Sequence, residues 1–186
     1  MQFACSNSEF PCSNIDSSKP LEEIDGMVHF FLFNKSAYLS KTTKAYFTYD
    51  FYIGENEVTC GEFSKTECSN DSLPVTDVSF FDAVLFANKK SKAEGLDTVY
   101  TYSSSKFDSE NHCISLEGFV FHPDVFGYRL PTEAEWNTAA KLNWNPEKSW
   151  NALNSDIKPQ KVCSAENAIP GFPCDMDGNV MEWVND

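Results

Sequence analysis

The residues best suited to chemistry lie near the end of this 186-residue chain, between positions 175 and 182. Within eight residues around Gly178, the chain places three carboxylates and one amide: Asp175, Asp177, Asn179 and Glu182. Oxygen donors at this density suit a hard cation, above all Ca²⁺. The spacing is not that of an EF-hand, because the glycine is fourth in the loop and the glutamate eighth. A solvent-facing turn around the glycine is the alternative.

Sulfur provides the second set of reactive groups. Seven cysteines, at positions 5, 12, 60, 68, 113, 163 and 174, are many for a cytosolic protein of this size, and none forms a C-x-x-C pair. They favour an oxidising compartment with disulfides. Cys60 with Cys68 and Cys163 with Cys174 are the candidate pairs, since each pair closes a short loop. The odd number leaves at least one thiol without a partner in this chain.

Other catalytic patterns do not occur. The three histidines are scattered, with no H-x-H or H-E-x-x-H spacing, and there is no G-x-S-x-G segment or phosphate-binding glycine loop. Asp and Glu total 28 against 14 Lys and Arg, which gives a formal net charge of −14. This charge repels phosphate backbones, so nucleic acid is not an expected partner.

The chain has no apolar run long enough to cross a bilayer, so we expect no membrane span. Its start, Phe3-Ala4-Cys5 followed by Ser, Asn and Pro, is typical of a mature bacterial lipoprotein. This start is compatible with a lipid anchor. Together with the cysteines, it favours an extracytoplasmic location, in the cell envelope or secreted.

One domain is expected to position these groups. Residues 1–26 are rich in Ser, Asn and Pro and are predicted to be a flexible tail or linker, whereas residues 27–186 form the domain. Aromatic-rich runs at 27–33 and 45–53 predict two strands, and short strands are predicted at 99–102, 113–116 and 119–122. Glu117-Gly118 is predicted to be the turn of a hairpin.

Three capping boxes predict helix starts, each with a hydroxyl followed three residues later by a carboxylate: Thr59 with Glu62, Ser79 with Asp82, and Thr132 with Glu135. The second helix is predicted to run for about 15 residues and to stop at Gly95. Residues 144–173 show no periodicity and are predicted to be irregular loops. Few helices, short strands and long loops make an α+β domain.

Two stretches resemble the signature segments of the formylglycine-generating enzyme, or sulfatase-modifying factor, family. They are Y-R-L-P-T-E-A-E-W at 128–136 and D-M-D-G-N-V-M-E-W at 175–183. Upstream, 52–59 is similar to the family segment ending in E-V-T, and 74–83 to its P-V-x-x-V-S-W-x-D-A segment. The resemblance covers roughly residues 27–186. It implies a variant of the C-type-lectin fold with little regular secondary structure.

The resemblance also implies roles for single residues. Family members bind Ca²⁺ through side-chain oxygens at the positions of Asp175 and Glu182 and through backbone carbonyls at those of Gly178 and Val180. The other motif residues are expected to be structural: Arg129, Thr132, Glu135, Trp136, Asn179 and Trp183. Arg129 is the only arginine, and a buried bridge to carboxylates or carbonyls suits it better than ligand binding. In the family, the tryptophan at the position of Trp183 is a core residue.

The family's oxidase chemistry converts a substrate cysteine to formylglycine with O₂ and a copper ion held by two thiolates. That pair follows an R-G-G-S segment, and this chain, which stops at Asp186, is expected to lack both. Its own cysteine pairs are interpreted as disulfides rather than copper ligands. The tetrapeptide Trp183-Val184-Asn185-Asp186 differs from the lectin W-N-D sugar motif by one inserted residue, so no sugar site is expected there.

The sequence therefore favours a non-catalytic, calcium-stabilised extracytoplasmic scaffold or binding module of bacterial origin. Its partner, a protein or a glycan, and its oligomeric state are not identified. The alternative is the N-terminal part of a formylglycine-generating oxidase, with copper only if a longer chain supplies the cysteine pair. Whether the protein is an enzyme stays open at this point.

Overall fold

The computed structural model describes residues 24–32, 34–63 and 69–186, and the backbone of residues 4–7. The α+β prediction is confirmed: short strands and few helices are joined by long loops. The helices are α1 (Cys60–Phe63), α2 (Phe80–Ala93) and α3 (Glu133–Ala140). The strands are β1 (Ala4–Asn7), β2 (Met27–Phe30), β3 (Lys35–Tyr38), β4 (Lys44–Phe47), β5 (Asp50–Gly54), β6 (Tyr100–Thr101), β7 (Ser104–Phe107), β8 (Cys113–Glu117) and β9 (Val120–Phe121).

The largest sheet has three antiparallel strands in the order β1-β5-β2. Met27 of β2 pairs with Gly54 of β5, and Ala4 of β1 pairs with Ile53 on the other side of β5. Residues 4–7 were predicted to belong to a flexible tail, but here they form a strand, because β5 offers a second edge of backbone hydrogen-bonding groups. The rest of that tail, up to residue 23, lies outside the described residues.

The polar segment predicted to separate two strands contains a strand of its own. β3 pairs with β4 in an antiparallel hairpin, from Lys35 opposite Phe47 to Tyr38 opposite Lys44. The run at 45–53, predicted as one strand, is divided by a bend at residues 48–49 into β4 and β5. These two strands then pair with different partners.

The capping boxes start the helices where predicted. In α2 the Ser79 hydroxyl accepts from Asp82 N at 3.0 Å, and Asp82 Oδ2 accepts from Ser79 N at 2.9 Å. The helix has 14 residues and is followed by Gly95 with φ +73°, a conformation that glycine adopts without strain. The box at Thr59 starts α1, which is a single turn of four residues.

The predicted hairpin around Glu117-Gly118 is wrong. β8 pairs with β7, and β9 pairs with β6, so Gly118 connects two separate two-stranded ribbons. β7 was not predicted, because its sequence, S-S-K-F, is polar and every residue in it is exposed. The sequence therefore predicted the next strand, β9, as the partner of β8 instead of β7.

Two buried clusters form the core. One surrounds α2 and includes Val84, Val99 and Leu130. The other joins β5 to α3 and includes Ile53 and Met176. Met176 belongs to the predicted cation loop, so the second cluster anchors that loop to the sheet. Residues 141–186 contain no helix or strand, in line with the loops predicted for 144–173.

Candidate cation loop and adjoining groove

The loop from Asp175 to Glu182 packs tightly against the backbone of Trp150. Asn179 N donates to Trp150 O at 2.9 Å, and a Cβ added to Gly178 would lie only 2.2 Å from the same oxygen. Asp175 and Asn179 both have positive φ, at +60° and +57°. Only glycine fits at position 178, because any side chain there would collide with the backbone of Trp150.

Two carboxylates of this loop each keep one buried oxygen that accepts no hydrogen bond from the described residues. Asp175 Oδ2 accepts from Cys163 N at 2.6 Å, and Glu182 Oε2 accepts from Trp136 Nε1 at 3.1 Å. Asp175 Oδ1 and Glu182 Oε1 are buried and have no hydrogen-bond partner among the described residues. Buried carboxylate oxygens without donors are costly, and a bound cation removes that cost.

Asp177, the third acid of the loop, serves the scaffold. Its Oδ2 accepts from Asn145 N at 2.6 Å, and Asn167 Nδ2 lies 3.2 Å from both of its oxygens. These bonds tie the loop to the segment after α3. Asp177 thus differs from Asp175 and Glu182, because hydrogen bonds occupy both of its carboxylate oxygens.

Glu57, before α1, is the site residue that sequence reasoning missed. Its side chain is fully buried, and it accepts from Asn179 Nδ2 at 2.7 Å and from Val180 N at 3.2 Å. Burial, together with the negative charges of Glu182 and Asp175, raises the pKa of Glu57 to about 8. Its segment was noticed only as a family segment, and nothing in the spacing of residues 57 and 179 signals the contact.

Burial also raises the pKa of Asp175, with an added contribution from the charges of Glu182 and Asp177. The described donors around Glu57 and Asp175 are neutral amide and backbone N–H groups. The loop is therefore a buried, electronegative site.

The unpartnered oxygens are compatible with a hard cation such as Ca²⁺, to which Asp175 and Glu182 would supply side-chain oxygens. The backbone carbonyls of Gly178 and Val180 remain the predicted further ligands. Within residues 24–32, 34–63 and 69–186, no group of three or more His, Cys, Asp or Glu side chains is placed to hold a metal ion together. A site built here would thus combine two carboxylates with backbone oxygens, which Ca²⁺ accepts readily.

A disulfide borders the loop. Cys163 and Cys174 are bonded, with an S–S distance of 2.10 Å and a Cα–Cα distance of 5.2 Å. Cys174 N donates to Glu55 O at 2.7 Å, which ties the disulfide to the end of β5. The start of the cation loop is therefore held both covalently and by the sheet.

The remaining cysteines supply no thiolate pair among the described side chains. Cys60 is disulfide-bonded, while Cys68, its predicted partner, lies outside the described residues, so that pairing stays a prediction. Cys113 is a buried free thiol, and burial raises its pKa. A protonated, buried thiol is a poor nucleophile and a poor metal ligand.

Arg129 lies in the interior and pairs with Glu135. Two hydrogen bonds of 2.7 and 2.6 Å join the guanidinium to both carboxylate oxygens. Glu135 Oε2 also accepts from Thr132 N at 2.7 Å, so one carboxylate completes both the ion pair and the capping box of α3. The pair fixes α3, which carries Trp136 towards Glu182.

A groove runs beside the cation loop, between residues 75–78 and 179–183, with a volume of about 610 Å³. Met181 is 99% exposed at this groove. Trp183, expected to be a core residue, is instead 44% exposed, and its indole N–H donates to Val78 O at 3.0 Å across the groove. The groove thus presents large apolar side chains next to buried carboxylates.

The two polar residues after Trp183 are used within the fold. Asn185 Oδ1 accepts from Tyr100 OH at 2.8 Å, and Asp186 Oδ1 accepts from Glu133 N at 2.7 Å. Both oxygens therefore join the final segment to the domain.

Comparison with known proteins places this architecture in a family. The chain is 29% identical, over 97% of its length and 74% of the relative's, to a protein named Chaperone protein LppX from Paenibacillus barcinonensis. The crystal structure of CarF shares its fold, with a TM-score of 0.58 and 23% identity over 86% of this chain and 79% of CarF. The profile of the FGE-sulfatase family, described as "Sulfatase-modifying factor enzyme 1-like domain", matches residues 60–186. The chain therefore belongs to the family of sulfatase-modifying factor enzyme 1-like domains.

Proposed function

We propose that this protein is a non-catalytic binding module, stabilised by Ca²⁺ in the loop from Asp175 to Glu182, and that it binds a polypeptide outside the cytoplasm. The observation that carries the proposal is the groove between residues 75–78 and 179–183, which lies directly against the cation loop. Met181 and Trp183 offer exposed apolar surface there. Large, exposed apolar side chains at a groove are typical of protein-binding sites.

The proposal of a polypeptide partner is supported by the relative named a chaperone protein. A chaperone's partners are other polypeptides, and exposed methionine adapts to varied apolar side chains because it is flexible.

The absence of catalysis is supported by the state of the described sulfur atoms. Copper-dependent oxidation in this family needs two thiolates, whereas Cys60, Cys163 and Cys174 are in disulfides and Cys113 is a buried thiol with a raised pKa. These four side chains provide no such pair.

An extracytoplasmic location is supported by the disulfides, which persist in oxidising compartments. Among the described residues, no helix is both long and apolar enough to cross a membrane. A lipid anchor at Cys5 remains a prediction, because that side chain lies outside the described residues.

The family match itself favours the second candidate, the front part of a formylglycine-generating oxidase. The gene sequence beyond codon 186 decides between the two. An R-G-G-S segment followed by a cysteine pair would favour the oxidase, and its absence would favour the binding module.

The binding proposal is tested with a defined client. A chemically unfolded, reduced polypeptide is allowed to aggregate, and light scattering is followed with and without this protein. Wild type is expected to suppress the aggregation, and Met181→Glu is expected to lose most of that effect. Leu153→Glu is the matched control, because Leu153 is 97% exposed but does not line the groove. Equal loss in both variants, or no suppression by wild type, would contradict the proposal.

A further inference from the structure

We propose that Glu57 is a third negative group of the cation site, which positions the loop and strengthens its binding of a hard divalent cation without being a ligand itself. The inference rests on the proposed calcium loop and extends it to a residue far away in sequence. It assigns a function to a fully buried carboxylate that contacts the loop.

Both oxygens of Glu57 are used by the loop. Oε2 accepts from the amide of Asn179 at 2.7 Å, and Oε1 accepts from the backbone N–H of Val180 at 3.2 Å. Asn179 is the left-handed residue that follows Gly178, and Val180 is one of the predicted carbonyl donors. Glu57 therefore holds the segment from which the backbone ligands must point.

The negative charge around Glu57 favours a bound cation. Glu57 is fully buried, and the acids that interact with it electrostatically are Glu182 and Asp175. Its two described donors are neutral, and Arg129 is engaged by Glu135. Buried carboxylate oxygens without a positive side chain among the described residues are unfavourable, so the fully buried Glu57 and the buried free oxygens of Asp175 and Glu182 together favour a bound cation.

Independent evidence for a ligand comes from two oxygens that do not belong to Glu57. Asp175 is 5% exposed, and its Oδ1 has no described hydrogen-bond partner; Oε1 of Glu182 is in the same state. These are free coordination sites in a buried, acidic environment.

Glu57 acts through position and charge rather than by coordination. Both of its oxygens already accept hydrogen bonds, and the described residues contain no set of three acidic, His or Cys side chains placed to share a metal ion. Mutation of residues that position the ligands of a metal site typically reduces metal affinity by about 10- to 100-fold.

The test is calorimetric titration of the full chain with CaCl₂. Glu57→Gln keeps the shape of the side chain but removes its charge and one of two acceptors, so the Kd for Ca²⁺ is expected to rise about tenfold. Glu147→Gln is the matched control, since Glu147 is exposed, and it should bind as wild type does.

Thermal melting separates this role from a purely structural one. In excess chelator, Glu57→Gln is expected to lower Tm less than it does in excess Ca²⁺, because the charge of Glu57 is expected to matter most when a cation is bound. In excess Ca²⁺ it should melt lower than wild type. Equal lowering in both conditions, or an unchanged Kd, overturns the proposal.

A second variant keeps the proposal testable if Glu57→Gln fails to fold. Asn179→Gly removes the amide that holds Glu57 and tolerates the positive φ of that position, and it should also weaken Ca²⁺ binding. Wild-type affinity in this variant overturns the positioning role. A wild-type chain that binds no Ca²⁺ overturns the proposed loop itself, and that result is distinct from an unchanged variant of a binding wild type.

Discussion

The indole N–H of Trp136 donates a hydrogen bond to Oε2 of Glu182 over 3.1 Å, and the two residues are 46 positions apart. The bond orients the carboxylate predicted to bind Ca²⁺, and its other oxygen, Oε1, is left buried without a described hydrogen bond. Trp136 is held in turn by α3, whose first turn is fixed by the box between Thr132 and Glu135. A helix start thus controls the direction of a candidate metal ligand.

Removing this bond should weaken Ca²⁺ binding. Trp136→Phe keeps an aromatic ring but leaves Glu182 free to rotate, so we expect about a tenfold higher Kd by calorimetric titration. Trp144→Phe is the control, because Trp144 is 55% exposed and is expected to bind Ca²⁺ as wild type does. Similar affinities for the two variants would contradict the orienting role of Trp136.

Calcium itself should stabilise the fold. A ligand at about 100 times its Kd stabilises the native state by about 2.7 kcal/mol, so Tm should rise in millimolar Ca²⁺ and fall in chelator. Mg²⁺ should substitute poorly, since it demands a tighter octahedral shell. Differential scanning calorimetry in the three conditions measures this, and coincident curves for a metal-free protein would leave only the turn interpretation.

The acids of the loop should respond differently to neutralisation. Glu182→Gln is expected to reduce the Tm difference between excess Ca²⁺ and chelator. Asp177→Asn should lower Tm in both conditions and leave the difference largely intact, because Asp177 bonds to Asn145 and Asn167 rather than facing the free oxygens. A Ca²⁺ response lost in Asp177→Asn and kept in Glu182→Gln would reverse this assignment.

The interior ion pair should be costly to break. Arg129→Met leaves Glu135 buried without its charge partner, which typically costs about 3–5 kcal/mol. The free energy of unfolding from urea titration measures the loss. Lys148→Met removes an exposed pair with Glu166, 2.8 Å apart, and should have no measurable effect. If both variants unfold at the wild-type midpoint, Arg129 does not stabilise the fold.

His112 should titrate above its ordinary range. A hydrogen bond to Asp82, 3.1 Å away, raises the pKa of His112, and the charges of Asp82 and Asp108 add to this. The stabilisation is complete below the unfolded pKa of 6.5 and is lost as pH rises through the higher folded value. NMR titration of the imidazole measures the pKa, and Asp82→Asn should lower it. A His112 pKa at or below 6.5 would contradict the pairing.

The two clearest successes of sequence reasoning are the starts of α2 and α3. Each capping box, Ser79 with Asp82 and Thr132 with Glu135, forms its hydrogen bonds between residues three positions apart. These bonds therefore do not depend on where the helix packs. The pairing of strands was harder to predict from the sequence. β8 was assigned to its neighbour β9, whereas it pairs with β7, whose polar sequence carries no alternation.

For the candidate site as well, local features were predicted from the sequence and long-range contacts were not. Asp175, Gly178 and Glu182 were identified because several oxygen ligands around a glycine, within a window of eight residues, are visible in the chain itself. The sequence could not predict that Asp177 accepts hydrogen bonds from Asn145 and Asn167. The partners of a loop carboxylate depend on which segments pack beside it.

The sequence by itself determined the local features of this protein: its helix caps, its family segments and the density of oxygen donors in residues 175–182. Only the tertiary structure brought Glu57 to Asn179, 122 residues away, and left one oxygen each of Asp175 and Glu182 buried without a donor among the described residues. The physical reason is the separation along the chain of the groups that interact. Caps and turns are decided by groups a few bonds apart, whereas burial and long-range hydrogen bonds exist only once the sheet, α3 and the loops have packed together.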